Sequence, residues 1–328
     1  MARIAINGFG RIGRAFFKLA LTRPEFEIVA INDLGNLEDL ARLLQHDSVY
    51  GDYSGDVKTK IEDLKNYLTV DGKDYLFLSE KDATKLPWGN LGVDIVVEAT
   101  GAFESYEKAS VHKKAGAKRV VITAPAEDED GPDTRTVLMG INEEDLKTCS
   151  ISSNGSCTTN SVASIMQILS EKLGVKKAFL NTVHAYTASQ AAVKNPSIIP
   201  FATGAEIAVT RVVESLKGKF DGIAMRVPVT DGSISAITFV SERLTTVEEI
   251  NSILASASEE ARWKGIFKTT TDQLVSTDII GESHVAVAGL NLTKVVDGDL
   301  CCVYSWYDNE FGYANSLVSH VLKVATLL

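Results

Sequence analysis

The chain predicts an α/β architecture: a doubly wound parallel sheet followed by a second, α+β domain on a mixed or antiparallel sheet. Three observations carry this expectation. Residues 2–6 form a short apolar strand that passes through Asn7-Gly8-Phe9-Gly10-Arg11-Ile12-Gly13-Arg14 straight into the helical pattern of residues 15–20. Further short apolar strands follow at 27–33, 93–98 and 119–123, each ending in small or polar residues. Beyond residue 157 the pattern changes to longer strands, at 222–229 and 233–240. At 328 residues, two domains are the natural expectation for the chain.

The first strand and its turn carry G-x-G-x-x-G in the strand–turn–helix setting that gives this pattern meaning. Gly8 permits the tight turn, Gly10 lets backbone approach a pyrophosphate, and Gly13 allows close packing of helix on strand. Glycine-rich turns also occur for structural reasons alone, so the second strand decides. It ends at Asn32-Asp33, where a carboxylate in this spacing accepts from both ribose hydroxyls and disfavours a 2′-phosphate. The reading is a Rossmann-type NAD site, with the later strand ends, Thr100-Gly101-Ala102-Phe103 and Thr123-Ala124-Pro125, as further cofactor walls.

The second half opens on Ser153-Asn154-Gly155-Ser156-Cys157-Thr158-Thr159-Asn160. Apolar residues at helical spacing over 162–169 place Cys157 at or just inside a helix N-terminus, where backbone N–H groups and the positive dipole end favour an anion. Residues 180–183 read as a strand presenting His184. The expectation is a thiol whose pKa is lowered, with a histidine as its acid/base partner. Cys149, Cys301 and Cys302 lack such a setting and read as structural. Thr245 and Glu248 offer a capping box for a helix continuing to Ala261, and residues 309–328 read as an amphipathic helix packing back on the first domain.

Composition excludes other classes. With 45% hydrophobic and 23% charged residues the chain has ordinary globular proportions, and no disorder is expected. A net charge of −10 argues against nucleic-acid or anionic-membrane partners. Four irregularly spaced cysteines, no cleavable signal pattern and no long apolar run suggest a reducing cytoplasm and no metal site.

Across nearly its whole length the sequence resembles the phosphorylating glyceraldehyde-3-phosphate dehydrogenases. The carriers are the glycine turn, Asn32-Asp33, Ser156-Cys157-Thr158-Thr159-Asn160, His184-Ala185-Tyr186-Thr187, Ala202-Thr203-Gly204-Ala205, Met225-Arg226-Val227-Pro228, and residues 305–313. Gly155 stands where the signature usually has alanine. The resemblance implies NAD-dependent oxidative phosphorylation of glyceraldehyde 3-phosphate to 1,3-bisphosphoglycerate in glycolysis or gluconeogenesis, with Cys157 as nucleophile and His184 as acid/base. Gly8, Phe9, Gly10, Arg11, Ile12, Gly13, Asn32, Asp33, Lys81, Thr100, Gly101, Phe103, Thr123, Asn309 and Tyr313 would hold NAD, Asn309 orienting the nicotinamide amide. Thr187 and Arg226 would hold the substrate phosphate, and Ser156, Thr158, Thr203 and Gly204 the inorganic phosphate. It further implies an NAD-binding domain over 1–152, a catalytic domain over 153–309, a returning helix over 310–328, a homotetramer, and a cytoplasmic location.

Two other readings stay open at this stage: a related aldehyde dehydrogenase acting on erythrose 4-phosphate or without phosphate, and a catalytically weakened binding relative. The match departs from the family between Gln190 and Ile198, where the family has a longer segment with arginines that reaches a neighbouring subunit's cofactor. A true deletion and an omitted segment are both open readings, omission being favoured because every flanking motif is intact. A family arginine for inorganic phosphate has no counterpart here.

Overall fold

The computed structural model describes residues 1–187 and 197–328. The short segment singled out between Gln190 and Ile198 lies outside the described residues, Ser197 excepted. The chain divides into two units. The first comprises Met1–Val137, Glu144–Asn154 and Leu317–Leu328; the second comprises Leu138–Glu143 and Gly155–Ser316.

The first unit is built on a nine-stranded sheet. In chain order its strands are β1 (Ala2–Asn7), β2 (Phe26–Asn32), β3 (Val57–Glu62), β4 (Lys65–Val70), β5 (Lys73–Leu78), β6 (Ile95–Glu98), β7 (Arg119–Ile122), β8 (Thr134–Thr136) and β9 (Ile151–Ser153). Their order in space is β8-β9-β7-β6-β1-β2-β5-β4-β3. From β8 to β5 every neighbour is parallel, whereas β3, β4 and β5 form an antiparallel meander at one edge. The interior strands β1 and β6 are buried on both faces, so Ile4-Ala5-Ile6 and Ile95-Val96-Val97 read as continuous apolar runs rather than alternating ones. Helix α1 (Arg11–Ala20) follows β1 through Gly10; α2 (Leu37–Gln45) is capped by Asn36, whose side chain accepts from Glu38 and Asp39 N–H; α3 (Tyr106–Lys114) is capped by Ser105. The switch of winding direction lies between β1 and β6, where an open α/β sheet places its ligand crevice. At the carboxyl ends of the strands, register sets Asn32, Asn7 and Glu98 side by side.

The second unit holds a mixed sheet, eight-stranded among the described residues. Its strands are β10 (Val175–Ala185), β11 (Ile199–Phe201), β12 (Phe220–Val227), β13 (Ser233–Ser241), β14 (Phe267–Thr270), β15 (Ala286–Gly289), β16 (Lys294–Val296) and β17 (Leu300–Tyr307). They lie in the order β11-β12-β10-β13-β17-β15-β14, with β16 beside β17. Strand β13 alternates strictly between buried and half-buried residues, so one face of the sheet meets the core. That core is centred on α4 (Cys157–Lys172), whose Val162, Ile165, Met166, Ile168 and Leu169 are buried with Leu180, Ile237, Phe239, Trp263 and Phe267. Helices α5 (Ala205–Val212) and α6 (Val247–Ser258) pack against α4.

Two details differ from the sequence reading. The N-cap of α6 is Thr246, which accepts from Glu249 N–H, while Thr245 donates its hydroxyl to the Glu249 carboxylate at 2.8 Å. Adjacent threonines can both serve as caps, and the pairing of Thr245 with Glu249 settles the register one residue later than Thr245 and Glu248 imply. The helix also stops at Ser258, and Ala261–Trp263 form a separate short 3-10 turn that buries Trp263. The last helix, α7 (Phe311–Ala325), contributes residues through Ser316 to the second unit and those from Leu317 to the first. Its His320 is fully buried in the first unit, 2.7 Å from Ser152 Oγ. No helix among the described residues is long and apolar enough to cross a membrane.

Candidate active site

In the first unit a cavity of about 480 Å³ lies at the carboxyl ends of the parallel strands. Seven of the residues assigned to the cofactor line it: Gly8, Gly10, Asn32, Asp33, Lys81, Thr100 and Phe103. The three glycines of the turn are needed for different reasons. Gly8 has φ +99°, and a Cβ there would sit 2.6 Å from the Ala99 backbone. A Cβ on Gly13 would overlap the Gly8 carbonyl, so helix and turn touch at that point. Gly10 has φ −68°, open to any residue, and nothing lies within 4 Å of a Cβ built there. The fold does not require glycine at position 10, but a ligand approaching the backbone at the start of α1 does. Gly10→Ala therefore leaves the melting temperature nearly unchanged and weakens NAD binding at least about tenfold, the cost of losing one close hydrogen bond to a charged group. Gly13→Ala instead destabilises the unit by roughly 1–3 kcal/mol through overpacking. Calorimetric titration with NAD, beside a thermal melt, checks both.

Asp33 is held by two backbone donors, Phe9 N–H at 2.6 Å and Gly35 N–H at 2.7 Å, which leave each carboxylate oxygen a further lone pair. The Phe9 ring is buried against Phe17 and offers only its backbone here. Arg11 is 3.3 Å from Asp47 and is not among the residues lining this cavity; nor are Ile12, Gly13, Gly101 and Thr123. Asn309 and Tyr313 belong to the second unit.

In the second unit α4 begins at Cys157 because Ser156 caps it. The Ser156 hydroxyl accepts from Thr159 N–H at 3.0 Å and the Thr159 hydroxyl accepts from Ser156 N–H at 3.2 Å, a reciprocal capping box. Gly155 reaches the cap with φ +61°, a conformation in which the usual alanine of the signature is strained. Beneath Cys157 the first turns of α4 are polar yet buried, and their hydroxyls are satisfied against the sheet. Thr158 meets Tyr307 at 3.0 Å, Tyr307 meets Thr182 at 2.8 Å, and Ser161 meets Ser305 at 2.7 Å. This layer fixes the rotation of α4 over the sheet.

Strand β10 presents His184 to the helix start, with Nε2 3.3 Å from Cys157 Sγ. Parallel pairing of β10 with β12 sets Arg226 directly beside His184. The Arg226 guanidinium touches His184 Nδ1 and donates to the Ala185 carbonyl at 3.2 Å, while its Nε is buried without a partner. A nucleophile, an imidazole and a cation thus converge at a helix N-terminus, the layout of a covalent site for an anionic substrate.

Comparison with known proteins agrees with this geometry. The model of the glyceraldehyde 3-phosphate dehydrogenase NAD binding domain matches residues 2–106, and that of the C-terminal domain of the same enzyme matches residues 156–309. The chain belongs to the glyceraldehyde-3-phosphate dehydrogenase family. It is 47% identical to the glyceraldehyde-3-phosphate dehydrogenase of Thermotoga maritima and 42% identical to that of Clostridium pasteurianum, covering 97% of both chains in each case. It is 41% identical to glyceraldehyde-3-phosphate dehydrogenase 1 of Bacillus subtilis over 98% of each. As a member of this family the chain takes NAD as its cofactor.

Within this glyceraldehyde-3-phosphate dehydrogenase fold the electrostatics correct one sequence expectation. Burial pushes the Cys157 thiol up to about 11, against the lowering influence of Arg226 and of hydrogen bonds from Thr158. Burial, reinforced by Arg226, pushes His184 down to about 3. Both shifts favour the neutral thiol and the neutral imidazole in the free protein. The helix terminus favours the anion as expected, but desolvation outweighs it, and desolvation is a tertiary quantity.

The remaining phosphate candidates are placed as follows. The Ser156 hydroxyl is engaged in the cap and that of Thr158 in the buried layer. Thr203 and Gly204 form the entry to α5, Gly204 being its N-cap, and Thr203 Oγ1 accepts from Ala205 N–H at 3.3 Å. Thr187 follows the end of β10, half-buried. Asn309 accepts through Oδ1 from Ser233 at 2.7 Å, and Tyr313 donates to the Gly155 carbonyl at 2.9 Å. Sequence reasoning passed over Tyr307 and Ser233, which support Thr158 and Asn309; each faces the buried side of an alternating strand, the one signal that points to them.

Proposed function

We propose that this chain catalyses NAD-dependent oxidation of glyceraldehyde 3-phosphate with uptake of inorganic phosphate, through a covalent adduct on Cys157. The carrying observation is the Cys157 Sγ to His184 Nε2 approach of 3.3 Å at the capped start of α4. Arg226 supports the choice of a phosphorylated aldehyde. Its guanidinium is within reach of an anion beside the thiol, and binding the substrate phosphate draws its charge away from His184. The imidazole accepts the thiol proton as Cys157 attacks, so the thiolate forms in the course of the reaction. Cys157 attacks the aldehyde carbon to form a thiohemiacetal, and the Cys157 backbone N–H with the protonated imidazole stabilises the oxyanion. NAD, when bound through Asp33 and the glycine turn, supplies the hydride acceptor that makes oxidation of this adduct to a thioester possible. Inorganic phosphate, for which the family resemblance assigns Ser156, Thr158, Thr203 and Gly204, cleaves the thioester to the acyl phosphate. We further propose a cytoplasmic homotetramer, in keeping with the family.

The test is the rate of NADH formation from glyceraldehyde 3-phosphate with phosphate and NADP varied. Steady turnover that needs phosphate and prefers NAD is expected. Turnover independent of phosphate would reassign the chain to a nonphosphorylating reaction, and no turnover would leave a binding protein.

A further inference from the structure

A buried polar network lies behind the cofactor cavity, and its inner members, Trp88, Glu98 and His112, are used by neither the sequence motifs nor the mechanism. At its centre is Glu98, the last residue of β6, 2% exposed. Four donors converge on its carboxylate: Asn7 Nδ2 at 2.6 Å, the Thr100 N–H at 2.8 Å, the Thr100 hydroxyl, and His112 Nε2 at 2.9 Å. His112, on α3, is fully buried and is backed by Trp88, whose Nε1 lies 3.2 Å from His112 Nδ1. An indole N–H only donates. Nδ1 must therefore offer its lone pair, the imidazole proton sits on Nε2, and that N–H points at Glu98. One tryptophan fixes the tautomer, and the tautomer fixes the carboxylate.

The order continues outward to the cavity wall. With its amide nitrogen committed to Glu98, Asn7 turns its oxygen toward Asn32, which donates to it at 2.7 Å. The Asn32 oxygen in turn accepts from Glu80 N–H at 2.9 Å. The Thr100 hydroxyl, donating to Glu98, accepts from Ala102 N–H at 3.0 Å, and Phe103 packs edge-on to the His112 ring at 5.4 Å. Asn7, Asn32, Glu80, Thr100 and Phe103 all line the cavity, whereas Trp88, Glu98 and His112 do not. Every donor has an acceptor in a single sense from the indole to the wall.

We infer that Trp88, His112 and Glu98 are positioning residues that set the polar wall of the NAD cavity, acting on cofactor affinity without touching the cofactor. The inference rests on the assignment of this cavity to NAD. Trp88→Phe removes a donor and little volume, and frees the imidazole to turn its lone pair toward Glu98. Glu98→Gln replaces one carboxylate oxygen by an amide NH2, which accepts nothing, and so leaves two of the four donors facing another donor.

The experiment is calorimetric titration of the intact chain with NAD for wild type, Trp88→Phe and Glu98→Gln, with the His112 ring nitrogens of the wild type followed by 15N NMR. The wild type is expected to bind NAD and to carry the His112 proton on Nε2. Each variant is expected to bind NAD roughly tenfold or more weakly, as loss of a hydrogen bond to a buried carboxylate implies. The KM for NAD should rise by the same factor while the KM for the aldehyde does not move. Variant affinities within about twofold of wild type overturn the inference. So does a proton on Nδ1, a readout that needs no variant to fold. Failure of the wild type to bind NAD would overturn the cofactor assignment itself.

Discussion

Cys157→Ser lowers kcat by at least roughly four orders of magnitude, the scale seen when a catalytic nucleophile is removed, while NAD binding stays at the wild-type level. A serine hydroxyl fits the same capped position at the start of α4 but is far harder to ionise, and burial that already pushes the thiol up to about 11 penalises an alkoxide more severely. Serine is nearly isosteric with cysteine and Cys157 is not among the residues lining the cofactor cavity, so titration with NAD should not register the change. A variant retaining turnover above that range would remove Cys157 from the chemistry. Loss of NAD binding would show that the substitution had damaged the fold instead.

His184→Asn lowers kcat by roughly 100- to 10,000-fold, the usual contribution of a positioned acid/base group. The pH dependence distinguishes this role from simple packing. Thiol and imidazole together hold one proton between about 3, where His184 gains a second, and about 11, where Cys157 loses its own. Moving that proton from sulfur to nitrogen changes no total, so across neutral pH the free protein should show no titration step from this pair by ultraviolet absorbance of the thiolate. The thiolate signal should rise only as pH climbs toward the thiol's raised value. In His184→Asn the proton has no internal acceptor, so the rate should climb with pH across the alkaline range where the wild type is flat. A thiolate step near neutrality in the free protein would mean that burial, with Arg226, does not hold the imidazole neutral.

What the sequence disclosed was local. The turn from β1 to α1 and the start of α4 are each contained in a few consecutive residues, and their backbone demands are written in glycine, serine and threonine. His184 was legible because the apolar residues before it mark a strand. The direction of the Cys157 shift was not, because a helix terminus is visible in sequence and the burial that overrides it is not. The network behind the NAD cavity was hidden for a related reason. Asn7, Trp88, Glu98 and His112 meet only through strand register and the packing of α3, and singly they read as an ordinary strand end and a surface helix. The helix cap at Thr246 slipped by one residue because two adjacent threonines compete and a side-chain bond between Thr245 and Glu249 decides.

The central claim is that Cys157 carries the acyl group between oxidation and phosphate attack. Rapid mixing of the NAD-loaded protein with glyceraldehyde 3-phosphate in the absence of phosphate, followed by mass analysis of the quenched chain, tests it directly. The expected result is a burst of NADH no larger than the number of Cys157 sites, an acyl mass on Cys157, and release of that mass when phosphate is added. NADH formed without any mass on Cys157, or an adduct that phosphate does not discharge, would contradict it.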